Sequence, residues 1–268
     1  MLRGFYTAAS GMITQQRHQE ALANNIANAN TPGYKAEQAT MRAFPELLMH
    51  KLGSKSLPTT EQLNMPTKQQ IGSLHTGAYV QELIPNFVQG DLHETGMTTD
   101  LALVQGNMPD ENGSLFFTVQ NETGDIRLTR NGNFTVDGEG MLVTTQGYYV
   151  LDDNNDPIST NGLEFIVLSD GTIQVNGEDI ALGISYVANA HDLEKEGNGL
   201  FSGEPEANVP AEATFSVEQG FLERSNVDSL QTMTQMMESY RMFETNQRVL
   251  KAYDESMEKA VNDVGRLG

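Results

Sequence analysis

The chain has 268 residues, no cysteine and a formal net charge of −20 at pH 7. This length can bury one or two hydrophobic cores, and the absence of cysteine excludes disulfides, thiol nucleophiles and thiolate metal sites. The charge is concentrated in residues 81–220, with a net −21, against +3 in residues 1–80 and −2 in residues 221–268. It disfavours nucleic acid as a partner, because phosphate contacts need Lys and Arg.

The first predicted element is an amphipathic helix with one apolar seam. Residues at alternating steps of three and four share one stripe of a helix, as in a coiled coil. The seam residues are Leu2, Phe5, Ala9, Met12, Gln16, Gln19, Ala23 and Ile26. The two Gln side chains interrupt the seam, and a polar pair at such positions sets register against a partner helix.

This helix is predicted to end in an Asn-rich run, ANNIANANTPGYK, at residues 23–35. Asn competes with the helical backbone for hydrogen bonds, and Pro-Gly cannot continue a helix. So many amides predict bonds to neighbouring backbone or to another chain; a helix stop followed by a turn is the alternative. The residues predicted here to act in assembly are Asn24, Asn25, Ile26, Asn28, Thr31, Pro32, Gly33 and Tyr34.

Residues 45–78 show no sustained period and are predicted to be a linker. From 79 to 218 the period becomes two, which predicts a domain of short strands. Five Asn-Gly or Asp-Gly pairs lie among these strands and favour tight antiparallel hairpins. The pairs begin at Asn131, Asp137, Asn161, Asp170 and Asn176.

The last fifty residues predict a second helix, with Asn226 or Asp228 as its N-cap. Two consecutive steps of three between Tyr240 and Asn246 break the phase of its seam, which predicts local overwinding. Its Met residues at 233, 236, 237 and 242 fit a protein-binding surface or core packing equally. The seam residues are Leu230, Met233, Met237, Tyr240, Phe243, Asn246, Leu250, Tyr253, Met257, Ala260, Val264 and Leu267; those from Leu230 to Met257 are predicted to act in assembly.

The predicted fold class is therefore α+β. Terminal helices pair as a coiled coil and flank a central antiparallel β domain rich in tight hairpins. The predicted division is a helical assembly domain of 1–44 and 219–268, a linker of 45–78 and a β domain of 79–218. Docking of both helices on the β domain is the alternative.

Four motifs, in order, resemble those of bacterial flagellar axial proteins, the rod, hook and hook-junction subunits. The Asn-rich run is similar to the ANNxANxxTPGYK signature, and residues 88–103 to the QGxLxxTGxxxDLAI block. Residues 130–151 resemble an RxGxF, GxLVT and GxxVL series, and residues 219–227 (QGFLERSNV) resemble the QGxLExSNV entry to the C-terminal helix. Residues 105–115 intervene where the family has a compact segment. The length is similar to that of rod proteins with a single β domain.

The resemblance implies a structural subunit of the basal-body rod, which polymerises helically and transmits torque to the hook. Its implied partners are copies of itself, other axial proteins and the flagellar export apparatus. Its implied location is the basal body outside the cytoplasmic membrane. The alternatives are a hook or hook-junction subunit, or a secreted adhesive or carbohydrate-binding β protein.

No motif predicts an enzyme, a cofactor or a metal site. The chain lacks a phosphate-binding GxxxxGK[ST] loop, a GxSxG nucleophile elbow and an HxxxH pair. Asp152, Asn154 and Asp156 fit the start of a calcium loop, but Pro157 and Leu163 occupy positions that need Gly and Glu. No apolar run approaches the roughly 18 residues of a membrane span, and the first ten residues lack a signal-peptide core. We expect no membrane insertion, and the resemblance implies export without a cleaved signal.

Overall fold

A computed structural model of the chain describes residues 2–57, 63–203 and 209–265. Helices α1 (Leu2–Ala27) and α2 (Ser229–Gly265) flank an antiparallel β region, which confirms the α+β class. A short 3-10 helix occupies Ala190–Asp192. The strands are β1 (Glu37–Ala43), β2 (Leu47–Leu57), β3 (Leu63–Leu74), β4 (Ala78–Pro85), β5 (Leu92–Glu94), β6 (Leu101–Gln105), β7 (Ser114–Gln120), β8 (Ile126–Thr129), β9 (Phe134–Val136), β10 (Leu142–Thr144), β11 (Tyr149–Val150), β12 (Phe165–Val167), β13 (Thr172–Val175), β14 (Glu178–Ala181), β15 (Ile184–Val187), β16 (Glu194–Gly197), β17 (Leu200–Ser202), β18 (Phe215–Gln219) and β19 (Phe221–Glu223).

The chain divides into two compact units whose limits differ from the predicted domains. Unit 1 comprises Met1–Ala23, Ala39–Leu83 and Met233–Gly268, and unit 2 comprises Asn24–Gln38 and Ile84–Thr232. The Asn-rich run and the residues just before α2 therefore belong with the β strands. They do so because their polar groups are hydrogen-bonded to that unit.

The segment predicted as a linker contains a long β-hairpin in unit 1. Strand β2 pairs antiparallel with β3 from Leu47 opposite Leu74 to Leu57 opposite Leu63, with a register shift after Met49. The connecting residues 58–62 lie outside the described part of the chain. The described ends of both strands are mostly exposed. Strand ends with no buried face need no alternation of apolar residues, and the sequence shows none there.

Unit 2 is built around β7, whose residues are buried almost throughout. Its largest sheet has the order β16-β17-β8-β7-β11-β10-β9, with β15 also paired to β7. The smaller sheets are β12-β13-β14, β18-β6 and β19-β5. Large side chains fill the core between them, including Leu101, Leu115, Phe117, Phe134 and Leu142, each no more than 2% exposed.

The predicted turn pairs have different roles. Asn176 and Gly177 both have positive φ and join β13 to β14, as a tight hairpin requires. Asn161 and Gly162 also have positive φ. Gly132 does not, and a Cβ there would meet the Leu101 carbonyl oxygen, so this glycine allows two backbone segments to approach closely.

Candidate assembly site

Asn25, in the last turns of α1, is buried and joins that helix to the start of β1. Its Nδ2 donates to the Glu37 carbonyl at 2.8 Å, and its Oδ1 accepts from the Glu37 amide at 2.9 Å. The same Oδ1 accepts from the Tyr34 hydroxyl at 3.0 Å. The Asn25 amide thus bonds within its own chain. Of the two predicted kinds of bond, to neighbouring backbone or to another chain, it makes the first.

Asn24, Asn28 and Thr31 form a more exposed chain of bonds at the end of α1. Asn28 Nδ2 donates at 2.9 Å to both the carbonyl and the side-chain oxygen of Asn24. Thr31 Oγ1 donates to Asn28 Oδ1 at 3.2 Å. These bonds satisfy part of the polar backbone that every helix end leaves unpaired. Asn24 and Thr31 stay exposed, and Asn28 and Ile26 are half-buried.

Tyr34 is buried in unit 2, and its ring packs against an ion pair of Lys195 and Glu37. Lys195 Nζ lies 4.4 Å from the centroid of the Tyr34 ring and pairs with Glu37 Oε1 at 2.5 Å. Burial, and secondarily the Glu37 charge, raise the pKa of Tyr34 well above its ordinary value. The hydroxyl therefore stays protonated and available as the donor to Asn25.

Gly33 needs to be glycine for two reasons. Its φ is +67°, and a Cβ would lie 2.5 Å from the carbonyl carbon and oxygen of Arg130. Its amide donates to the Glu223 carbonyl at 2.8 Å. Pro32 precedes it and is half-buried. The Pro-Gly pair thus brings the chain against the segments that hold Arg130 and Glu223.

The Glu223 carboxylate, at the end of β19, is a junction of four segments. Oε1 accepts from Lys35 Nζ at 2.6 Å and from the Gly90 amide at 2.9 Å. Oε2 accepts from Arg130 Nε at 3.0 Å and Nη2 at 2.7 Å. The three charged side chains are at most 1% exposed. These four bonds use the full accepting capacity of a carboxylate. We name the three side chains the Glu223 cluster.

The charges of the Glu223 cluster shift one another's pKa values. Burial acts to raise the pKa of Glu223, but Arg130 and then Lys35 outweigh it and hold the pKa below its ordinary value. Burial and then the neighbouring Arg130 lower the pKa of Lys35 to about 8. One carboxylate therefore faces two cations.

Helix α2 presents one continuous inner face, which confirms only part of the predicted seam. Phe243, Asn246, Leu250, Tyr253 and Met257 are half-buried at steps of three and four. Val264 and Leu267 lie outside the described side chains. Towards the N-terminus the same steps reach Ser239, Met236 and Thr232, which are buried or half-buried.

The face that is buried within the chain does not shift at the predicted break in phase, and local overwinding stays a prediction. The residues predicted upstream on the seam, Leu230, Met233, Met237 and Tyr240, are all exposed. The inner face continues through Ser and Thr, which an apolar pattern does not detect. The Ser239 hydroxyl can donate to two oxygens of Gln15 in α1. The Gln15 carbonyl oxygen lies 3.1 Å from Ser239 Oγ, and Gln15 Oε1 lies 2.8 Å from it. Asp228, one of the two predicted N-caps, accepts from the Leu230 and Gln231 amides at 3.0 Å.

Helix α1 contacts α2 through a face of small and polar residues, one position before the predicted seam. A Cβ at Gly4 would meet the Tyr253 ring, and one at Gly11 would lie 3.0 Å from Asn246 Nδ2. Thr14, on another side of α1, donates to the Ala78 carbonyl at 2.8 Å. α1 is thus held between α2 and the chain near β4. Continuous coiled-coil packing stays a prediction.

Unit 1 carries an open groove beside the exposed residues of α2. Its volume is about 510 Å³. Gln19 Nε2 is buried there and has no hydrogen-bond partner among the described residues. The groove is lined by Gln16, Gln19, Glu20, Ala23, Met236, Met237, Tyr240 and Arg241. The structure thus brings Met237 and Tyr240 together with Gln16, Gln19 and Ala23 of the predicted α1 seam.

Sequence reasoning missed the Glu223 cluster. Its members lie far apart in the chain, and charged residues are ordinarily exposed. The available signal was that Lys35, Arg130 and Glu223 each lie inside one of the four motifs. Within the described residues, no three His, Asp or Glu side chains gather as metal ligands. No described helix has the length and apolar character of a membrane span.

Three parts of the chain match known protein families, and each of these parts contains residues of the site. Residues 5–35 match the profile "Flagella basal body rod protein", and residues 112–175 match "Flagellar hook protein FlgE/F/G D1 domain". Residues 218–263 match "Flagellar basal body rod FlgEFG protein C-terminal". The profiles at the two ends contain the Asn-rich run and Glu223.

Full-length relatives agree with these matches. The flagellar hook-basal body complex protein FlhO of Bacillus subtilis (strain 168) is 41% identical, covering 100% of both chains. The chain belongs to the flagellar basal-body rod protein family. Basal-body rod protein FlgG of Borreliella burgdorferi is 31% identical over 98% of each chain, and FlgF of Caulobacter vibrioides is 32% identical over 100% of this chain and 99% of its own. The family is structural, so the rod protein is an axial flagellar subunit and not an enzyme.

Proposed function

We propose that this rod protein polymerises helically through its terminal helices and forms part of the drive shaft that transmits torque from the flagellar motor to the hook. The observation that carries the proposal is the exposed apolar stripe on α2 beside the open groove of unit 1. We name Leu230, Met233, Met237 and Tyr240 the outer stripe.

The outer stripe is too apolar to be a typical solvent-facing side of a helix. Its four side chains are between 49% and 78% exposed. They lie roughly 130° around the helix from the inner face. Burying a large apolar side chain contributes about 1.5–3 kcal/mol, so contact with another chain would stabilise the assembled form.

The groove offers a matching polar contact. The unpartnered Gln19 Nε2 is a donor, and burying a donor without a partner costs about 1–3 kcal/mol. A shift of the Gln19 side chain on docking would let Nε2 reach an oxygen of the incoming helix and would remove that cost. Exposed Tyr6 and Ile13 of α1, on the helix face opposite Gly4 and Gly11, are suitable apolar partners in a second copy.

Charge favours the ends of the chain as the contact between copies. Residues 81–220 carry a net −21, whereas the two flanking regions carry +3 and −2. Like charge opposes contact between two copies of the acidic region. Pairing of the helices as a coiled coil, within one chain or between copies, belongs to the same proposal.

The Asn-rich run has two roles in this proposal. Asn25, Gly33 and Tyr34 hold the end of α1 to unit 2. Asn24 and Thr31, which are exposed, and Asn28, which is half-buried, offer polar groups to a neighbouring chain. The partners are copies of the rod protein and other axial subunits, reached by export without a cleaved signal to the basal body outside the cytoplasmic membrane.

Two matched substitutions test the role of the outer stripe. Met237→Asp changes a side chain that is 60% exposed on α2, and Met97→Asp changes one that is 64% exposed in unit 2. Sedimentation velocity and negative-stain microscopy of the purified full-length variants report assembly. We expect Met237→Asp to abolish concentration-dependent polymers at unchanged melting temperature, with Met97→Asp assembling as the parent does. Equal assembly by both variants would exclude the outer stripe as an assembly surface.

A hook or hook-junction subunit is the second candidate. It is favoured by the match of residues 112–175 to a profile named for hook as well as rod proteins. An epitope inserted at the exposed Asp153–Asn154 turn and immunogold labelling of isolated hook-basal bodies separate the two. Label on the rod supports the first candidate, and label on the hook or its distal end supports the second.

A further inference from the structure

The Glu223 cluster is unbalanced in charge. Lys35 and Arg130 both point at one carboxylate, and none of the three side chains is more than 1% exposed. The cluster therefore buries a net positive charge. Burying a charge without a partner is costly, because the interior solvates it less well than water does.

Arg130 is the better partner of the carboxylate. Its Nε and Nη2 both donate to Oε2, and its Nη1 and Nη2 also donate to the Leu115 and Leu103 carbonyls at 2.7 and 3.2 Å. Two charge-assisted bonds from one rigid guanidinium hold the carboxylate more strongly and more directionally than a single ammonium contact does. Lys35 is therefore the excess cation.

Each acceptor that Lys35 uses has a second donor. Glu223 Oε1 also accepts from the Gly90 amide at 2.9 Å. The Val88 carbonyl, 2.9 Å from Lys35 Nζ, also accepts from Asn226 Nδ2 at 3.0 Å. Removing the Lys35 ammonium would leave neither oxygen unpaired and would leave Arg130 and Glu223 as a balanced pair.

We propose that the Glu223 cluster is a reversible latch for the segment that follows α1, with Lys35 as the member that keeps it releasable. Arg130 and Glu223 close the β19 end of unit 2, and docking of residues 28–36 places Lys35 against that pair at the cost of an uncompensated buried charge. The segment can then undock while the β core stays folded. In a polymerising subunit, this would let the end of α1 adjust as the helices join their neighbours; only that consequence rests on the proposed function.

Charge at the latch also sets its response to pH. The pKa of Lys35 is about 8 when it is docked, below its ordinary 10.5. The undocked segment thus binds more protons between these values, so docking strengthens as pH rises through this window. Arg130 and Glu223 are the charged groups that shift Lys35; Tyr34 stays neutral, and Glu37 and Lys195 pair with each other.

Hydrogen exchange of the full-length monomer tests the latch. The reporters are the Gly33 amide, bonded to the Glu223 carbonyl, and the Ala36 amide, bonded to Asn226 Oδ1. At pH 7 we expect exchange at both to slow roughly tenfold or more in Lys35→Met and to quicken in Glu223→Gln, which leaves two cations unpaired. The Leu101 and Leu151 amides, in the core, should keep their rates in Lys35→Met.

Urea unfolding of the parent and Lys35→Met at pH 7 and pH 9.5 is the second readout. We expect the variant to be the more stable at pH 7. The difference in unfolding free energy should shrink at pH 9.5, where the docked Lys35 of the parent is neutral. Faster exchange at Gly33 in Lys35→Met, or a difference that does not change with pH, would overturn the latch. Both measurements use the monomer, so failure of the proposed polymerisation leaves them unaffected.

Discussion

The guanidinium of Arg130 and the carboxylate of Glu223 are joined by two hydrogen bonds, of 3.0 Å from Nε and 2.7 Å from Nη2, with neither side chain more than 1% exposed. Arg130 follows β8, and Glu223 ends β19, shortly before α2 begins. This pair makes the entry to α2 part of unit 2. Residues 24–38 join the same compact unit because Gly33 and Lys35 also bond to Glu223.

Removing Arg130 should strongly destabilise the rod protein. Arg130→Met leaves the Leu103 and Leu115 carbonyls without this donor and weakens the pairing of a buried carboxylate. Breaking a buried pair costs about 3–5 kcal/mol. Urea unfolding of the full chain measures the loss.

Arg127→Met is the matched control. Arg127 pairs with Glu196 at 2.6 Å, but both side chains are partly solvent-exposed. Such pairs contribute about 0–1 kcal/mol. Equal losses from Arg127→Met and Arg130→Met would contradict the account of the buried pair.

Acid should weaken the fold through Glu223. Its pKa in the folded chain is below its ordinary 4.5, so the unfolded chain takes up the proton first as pH falls. The stability that Glu223 contributes is complete above pH 4.5 and is lost as pH falls through the folded-state value. The difference in unfolding free energy between the parent and Glu223→Gln should therefore shrink from pH 5 towards pH 3. A difference that stays constant over this range would show that folding does not lower the pKa of Glu223.

The helices and strands of this fold could be predicted far better than the faces through which they pack. Both helices, the β region and the end of α1 follow from period and turn residues. The face of α1 towards α2 could not be predicted from apolar spacing, because Gly4 and Gly11 make room for Tyr253 and Asn246. The β2–β3 hairpin escaped prediction for a related reason, since neither face of its described ends is buried.

The sequence predicted where part of the candidate site lies in the chain, but not which residues contact one another there. Asn25 was predicted as a site residue, whereas Lys35, Arg130 and Glu223 lie within the motifs but were not predicted to act in the site. Which of these residues touch depends on pairings between strands distant in sequence. Ser239 on the inner face of α2 was missed because a hydroxyl that bonds to a facing helix is not distinguishable in sequence from an exposed one.

Asn25→Ala should destabilise the monomer. It removes the partner of the Glu37 amide and of the Tyr34 hydroxyl, and each buried group left unsatisfied costs about 1–3 kcal/mol. Asn30→Ala, at an exposed position in the same run, is the control and should change stability by less than about 0.5 kcal/mol. Thermal unfolding of both variants makes the comparison. A stabilised Asn25→Ala variant would favour the simple helix stop.

Two tyrosines of α2 test which face is internal. Tyr253 is half-buried beside Gly4, whereas Tyr240 is 61% exposed on the outer stripe. We expect Tyr253→Ala to lower the unfolding free energy of the monomer by about 1–3 kcal/mol. Tyr240→Ala should leave the monomer unchanged and weaken polymer formation. The reverse pattern would restore the predicted break in phase.

Photo-cross-linking from position 237 in assembled basal bodies tests the central claim most directly. The photoreactive residue p-benzoylphenylalanine replaces Met237 in one strain and Met97 in a control strain, and mass spectrometry identifies the products. The account predicts that position 237 cross-links to a terminal helix of a second copy or of another axial subunit, at a yield well above that from position 97. Cross-links from position 237 that stay within one chain, or yields equal to the control, would contradict it.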